Sequence, residues 1–145
     1  MPQFAVAVER IIRAPRSKVY RAFLDPDVLA QWMGPEGSSV TVASVDERVS
    51  GEHKVEMLGS DGVHFTFDST ILELVPDERI VMTFRFAVGA EDTLLTVSFR
   101  DAEDGWTALR LEHERITLEG PLDTQSVNTG WSQALAHLAA HFDKE

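Results

Sequence analysis

Apolar residues recur at Val127, Trp131, Ala134, Leu135, Leu138 and Phe142, close to the end of the chain. Gaps of three and four residues put all six on one stripe of a single long helix, predicted over Pro121 to Phe142. The residues before it read as short strands rich in Val, Ile, Thr and Phe, with one brief helical region near the start. One helix cannot bury such a stripe alone, so a curved sheet must receive it. The expected architecture is α+β, a sheet gripping a C-terminal helix around a pocket. Asp123 is an N-cap candidate, and Leu122 with Val127 has the spacing of a hydrophobic staple. Gly130 sits inside the helix at a cost of roughly 1 kcal/mol relative to Ala, either to allow close backbone approach or as a tolerated flaw.

The strands follow from alternation. A first strand carries Phe4, Val6, Val8 and Ile12 and stops at Ala14-Pro15. Two short helices are predicted, Ser17 to Leu24 and Asp27 to Gln31, separated by the Asp25-Pro26 break. Strands then follow at Val40 to Val45, His53 to Leu58, Val63 to Leu74, Ile80 to Phe86, Leu95 to Phe99 and Thr107 to His113, joined by turns such as Ser60-Asp61-Gly62 and Pro76-Asp77. Turns in place of crossover helices make this run an antiparallel meander. Phe65, Phe67, Phe84, Phe86, Met57 and Met82 fall on the inner face, which favours an apolar interior and leaves open whether it is hollow or filled.

A chain of 145 residues fits one domain, 1–145, with enough interior for a core. A net charge of -11 argues against nucleic acid as a partner, since phosphate binding needs a positive footprint. No apolar run approaches the ~20 residues of a membrane span, so no membrane insertion is expected. The chain has no cysteine, which excludes disulfides and thiol nucleophiles and is compatible with the cytoplasm, the expected location.

Several local motifs, taken in order, resemble a known family. They are Ile12-Arg13-Ala14-Pro15 followed by Val19-Tyr20, the Asp25-Pro26 break, Gln31-Trp32 before Gly34-Pro35, and Gly51 before the third strand. Glu73-Leu74-Val75-Pro76 with Arg79-Ile80-Val81, and Gly130-Trp131, complete the set. The chain resembles the family named for the activator of the heat-shock protein 90 ATPase, within the START-like (SRPBCC) helix-grip superfamily. That resemblance implies a hydrophobic small molecule held between sheet and C-terminal helix. Two departures stand out. Ser50-Gly51 retains one of two commonly adjacent glycines, and Ser69 stands where relatives often have Gly. The co-chaperones of the namesake type carry a separate docking domain to which nothing in residues 1–145 corresponds, so a chaperone partner is not expected.

For chemistry, His113 is the candidate acid or base, because strand parity turns it inward with Leu109 and Leu111. A hydrogen-bonded core histidine is the competing reading. His53, beside a turn, is expected at a pocket mouth or exposed at a strand end, and His64 faces solvent. His137 and His141 stand four apart on the helix without a third ligand, so no metal is expected. No phosphate loop, dinucleotide fingerprint or nucleophile elbow is present, and no cofactor is expected. Trp32, Phe65, Phe67, Phe84, Phe86, His113, Trp131 and Leu135 are the candidate lining. The leading expectation is binding of a small hydrophobic or aromatic molecule. The alternatives are an enzyme on the same cavity (cyclase, dehydratase or hydrolase type, with Tyr20 assisting His113) and a chaperone-related or homodimeric interaction domain.

Overall fold

The structure, a computed structural model, describes residues 3–34, 37–85, 92–117 and 124–143. Phe86, and the helix cap expected at Asp123 with its Leu122 staple, lie outside the described residues. The order is β1 (Gln3–Ile12), α1 (Arg16–Ala22), α2 (Pro26–Trp32), β2 (Ser39–Val45), β3 (Glu52–Leu58), β4 (His64–Val75), β5 (Arg79–Phe84), β6 (Thr93–Asp101), β7 (Thr107–Thr117) and α3 (Thr124–Asp143). This is the succession the periodicities predict: a strand, two small helices, six strands and a long helix.

The strands form one seven-stranded sheet in the order β1-β7-β6-β5-β4-β3-β2. Strands β2 to β7 are a meander, and β1 closes against β7 with Val8 opposite Leu111, all antiparallel. Register shifts between Phe4 and Val6, Val40 and Val42, and Ile71 and Glu73 break the pleat. An extra residue on one strand bends that strand and increases its twist, which is how such a sheet curls around a helix. The helix delivers the stripe as expected: Val127, Trp131, Leu135, Leu138 and Phe142 are all buried.

Asp25-Pro26 does more than end α1. Asp25 caps α2 by accepting from the Asp27 N–H at 3.0 Å, and Pro26 takes the first helical position, where a missing N–H goes unfelt. Trp32, at the end of α2, donates its indole N–H to the Ala22 carbonyl at 3.0 Å and meets Phe23 edge-on at 4.9 Å. It therefore pins the two short helices together. Among the described residues no helix is long and apolar enough to cross a membrane.

The Ser50-Gly51 turn accounts for the missing glycine. Ser50 itself adopts the left-handed conformation at φ 70, so the turn keeps its geometry with a side chain present. Gly51 has no such latitude, because a Cβ there would sit 2.0 Å from the Asp46 carbonyl oxygen. Gly130 is the opposite case: among the described residues a Cβ would meet nothing within 4 Å, so no described strand approaches it. The same substitution should therefore have opposite signs at the two sites. Gly51→Ala should destabilise by about 1–3 kcal/mol through the backbone clash. Gly130→Ala should stabilise by roughly 1 kcal/mol through helix propensity. Urea unfolding midpoints of the two variants check both. A destabilised Gly130→Ala would mean that the space beside it is not open.

Candidate functional site

A cavity of about 620 Å³ lies between the sheet, the end of α2 and the first half of α3. Phe65 and Phe67 on β4 and Phe84 on β5 form its sheet wall, as strand parity predicts. The rings run in a chain: Phe65 to Phe67 at 5.3 Å between centroids, Phe67 to Phe84 at 5.0 Å, and Phe84 to Trp131 at 5.4 Å. Tilted and edge-on contacts at these separations are favourable and hold each ring in place. Trp131 carries the aromatic wall from the sheet onto the helix, and Gly130 and Ala134 leave the helix side low.

His113 supports this wall from behind. It is fully buried and meets Phe84 edge-on at 5.1 Å. The Trp131 indole N–H donates to its Nδ1 at 3.0 Å, and its Nε2 lies 2.6 Å from the Thr93 hydroxyl. That hydroxyl donates its one proton to the Phe84 carbonyl at 2.5 Å, so it must accept from the imidazole. The ring is thereby set as the Nε2–H tautomer, with its Nδ1 lone pair taken by the indole. A general base needs that lone pair for a substrate proton. The geometry therefore favours His113 as the neutral link that ties α3 to the sheet. Its register explains the reach: His113 pairs with Leu95, and Thr93 lies two residues along on the same face, opposite Phe84. The strand is interrupted only after His113, where Arg115 takes a φ of 63 and shifts the pairing with β1, so inward parity holds to His113.

The other candidates fall into three groups. Trp32 and Leu135 are in the core, 1% and 0% exposed, rather than on the cavity wall. Trp32 is held there by its bond to Ala22 and Leu135 by its place in the centre of the buried stripe. Tyr20 packs edge-on against Phe99 at 5.8 Å, away from His113. His53 is neither exposed nor at a pocket mouth: it is 4% exposed and donates from Nε2 to the Phe23 carbonyl at 2.8 Å. Among the described residues no three His, Cys, Asp or Glu side chains are grouped to hold a metal.

Sequence reasoning missed two parts of the lining. Met33 and Gly34 bring the end of α2 to the cavity. Gln125, Thr129 and Gln133, on α3, line it as well. Their spacing of four was the available signal, but a polar helix ridge ordinarily reads as a solvent face.

A curved antiparallel sheet closed on one C-terminal helix over a cavity is the helix-grip architecture. Residues 13–143 match the family described as Activator of Hsp90 ATPase homolog 1-like protein, and the chain belongs to that family. A protein from Chromobacterium violaceum is 36% identical over 95% of this chain and 96% of its own, with a TM-score of 0.83. An AHSA1-like protein from Aeromonas hydrophila is 22% identical over 97% of this chain and 93% of its own, with a TM-score of 0.78. The AHSA1 protein from Silicibacter pomeroyi is 20% identical over 95% of this chain and 96% of its own, with a TM-score of 0.76. The last two show the shared fold alone. No curated protein matches the chain.

Burial pushes the His113 pKa down to about 4 from its ordinary 6.5, and burial lowers that of His53 in the same direction. As pH falls below 6.5 the unfolded chain takes up protons that the folded chain refuses. Stability is therefore complete above that pH and declines as pH drops toward 4. His113 alone should remove about 2 kcal/mol between pH 7 and pH 5. His113→Gln, whose amide can accept from the indole and donate to Thr93 without titrating, should flatten that decline. Melting temperatures across this range measure it, and nitrogen NMR of the imidazole reads the tautomer. A proton on Nδ1 would contradict the hydrogen-bond chain.

Proposed function

We propose that this chain binds a small hydrophobic or aromatic molecule in the cavity between the sheet and α3. The observation that carries this is a space of about 620 Å³ walled by Phe65, Phe67, Phe84 and Trp131. Sites for small molecules commonly enclose about 300–1,000 Å³ and are lined by aromatic side chains with a few polar groups. The cavity is also retained at a cost, since Gly130 weakens the helix without relieving any clash. Membership of a helix-grip family supports the same reading, as does a wall whose rings are fixed before any ligand arrives. A cytoplasmic location accords with a chain that has no cysteine.

The test combines native mass spectrometry with a cavity-filling variant. The freshly purified protein should show an excess mass that denaturation removes, or should take up the neutral fluorophore N-phenylnaphthylamine with increased emission. Gly130→Leu should project its side chain into the open space and keep the helix. It should weaken uptake of the fluorophore by about ten-fold with circular dichroism unchanged. Equal uptake by the filled variant would place binding elsewhere and reject the proposal.

A further inference from the structure

We infer that the occupant of this cavity is an uncharged ring compound with its hydrogen-bonding groups along one edge. The inference rests on the binding reading above and narrows the ligand class. Charge is abundant in this chain, with 13 Lys and Arg and 24 Asp and Glu residues. Among the described residues none of these lines the cavity, and neither does a histidine. The sequence at 35–36, 86–91 and 118–123 contains no Lys, Arg or His either. A carboxylate, sulfate or phosphate entering the cavity would lose water without gaining a counter-charge, inside a protein of net charge -11. A ligand with an anionic head is therefore disfavoured by the site and by the field around it, and a cationic head would find no carboxylate on the described lining.

The polar groups that are present are neutral and regularly placed. Gln125, Thr129 and Gln133 follow one another at four-residue intervals and so form one ridge along α3. Ser126, Gly130 and Ala134 form the adjacent ridge, one residue on. Val127, Trp131 and Leu135 form the next, and that ridge is buried. The low ridge thus runs between an apolar one and a polar one. A flat molecule resting against the phenyl rings has its body over Gly130 and one edge toward the amides and hydroxyl. Amides and hydroxyls both donate and accept, so they match hydroxyl, carbonyl or amide groups without demanding a charge.

Two probes of nearly equal shape separate charge from fit: anthracene carboxamide and anthracene carboxylate, each displacing N-phenylnaphthylamine from the full chain at neutral pH. The carboxamide should displace it at about ten-fold lower concentration than the carboxylate. Thr129→Val keeps the side-chain shape on an exposed helix position. It should weaken the carboxamide about five-fold and leave the melting temperature unchanged. Gln133→Lys should shift the preference toward the carboxylate by supplying the missing cation. A carboxylate that binds the unmodified chain as well as the carboxamide overturns the inference and leaves the binding reading intact. So does a Thr129→Val variant with unaltered carboxamide affinity. Failure of the fluorophore itself to bind removes both.

Discussion

One indole N–H holds the long helix in its setting against the sheet. Trp131 donates to His113, His113 to Thr93, and Thr93 to the Phe84 carbonyl, so a single line of bonds crosses α3, β7, β6 and β5. The ends of the line admit one polarity only. An indole can donate and not accept, and a carbonyl can accept and not donate, so every proton between them has a fixed place. Such a chain in a dry interior is strong when complete and costly when broken, because each freed group is left without water. It also sets the rotation of the helix. Successive ridges of a helix lie about 100° apart, so turning α3 by one ridge would put Ser126, Gly130 and Ala134 where the stripe packs, and Gln125, Thr129 and Gln133 where those small residues lie. The indole that anchors the helix is thus also the reason Gly130 and Ala134 lie on the cavity wall between the aromatic ridge and the polar one.

The cavity is the other half of that constraint. The cavity opens to solvent along the exposed Gln125, Ser126 and Thr129, so it is a pocket in the surface of the fold and not a sealed void. Here three features keep it open. The bulged strands curl the sheet around the helix, the aromatic chain from Phe65 to Trp131 braces the wall, and α3 offers Gly130 and Ala134 where larger residues would fill the gap. An occupant would supply the missing contacts and stabilise the folded chain by mass action.

The parts of this arrangement legible in the sequence are those that follow from local period. The stripe on α3 and the alternation of β3 to β7 are set by backbone geometry, so Phe65, Phe67, Phe84 and Trp131 could be assigned inward positions from spacing alone. The remainder depends on partners far along the chain. His113 has the right parity in the sequence, but its role comes from residues 18 and 20 positions away on two other elements. His53 is buried because the Phe23 carbonyl meets it, 30 residues upstream. Trp32 reads identically as pocket or core, and the Ala22 carbonyl decides between them. The polar ridge of α3 looks like any solvated helix face. Only the placement of the sheet shows that part of it borders a cavity.

This division bears on how one fold can serve different ligands. The buried stripe of α3 and the bond from Trp131 to His113 determine whether the helix docks at all, so changes there fall on folding. Thr129 and Gly130 lie on the cavity outside the buried core, so these two positions can vary in size and polarity with small effect on stability. Gly130 illustrates the freedom directly, since a side chain added there meets open space. Selectivity in this architecture can then be rewritten on a few adjacent helix positions while the sheet, the stripe and the anchoring hydrogen bonds stay as they are. A chain whose ridge reads Gln-Thr-Gln beside Ser-Gly-Ala presents a wide, neutral, hydrogen-bonding face.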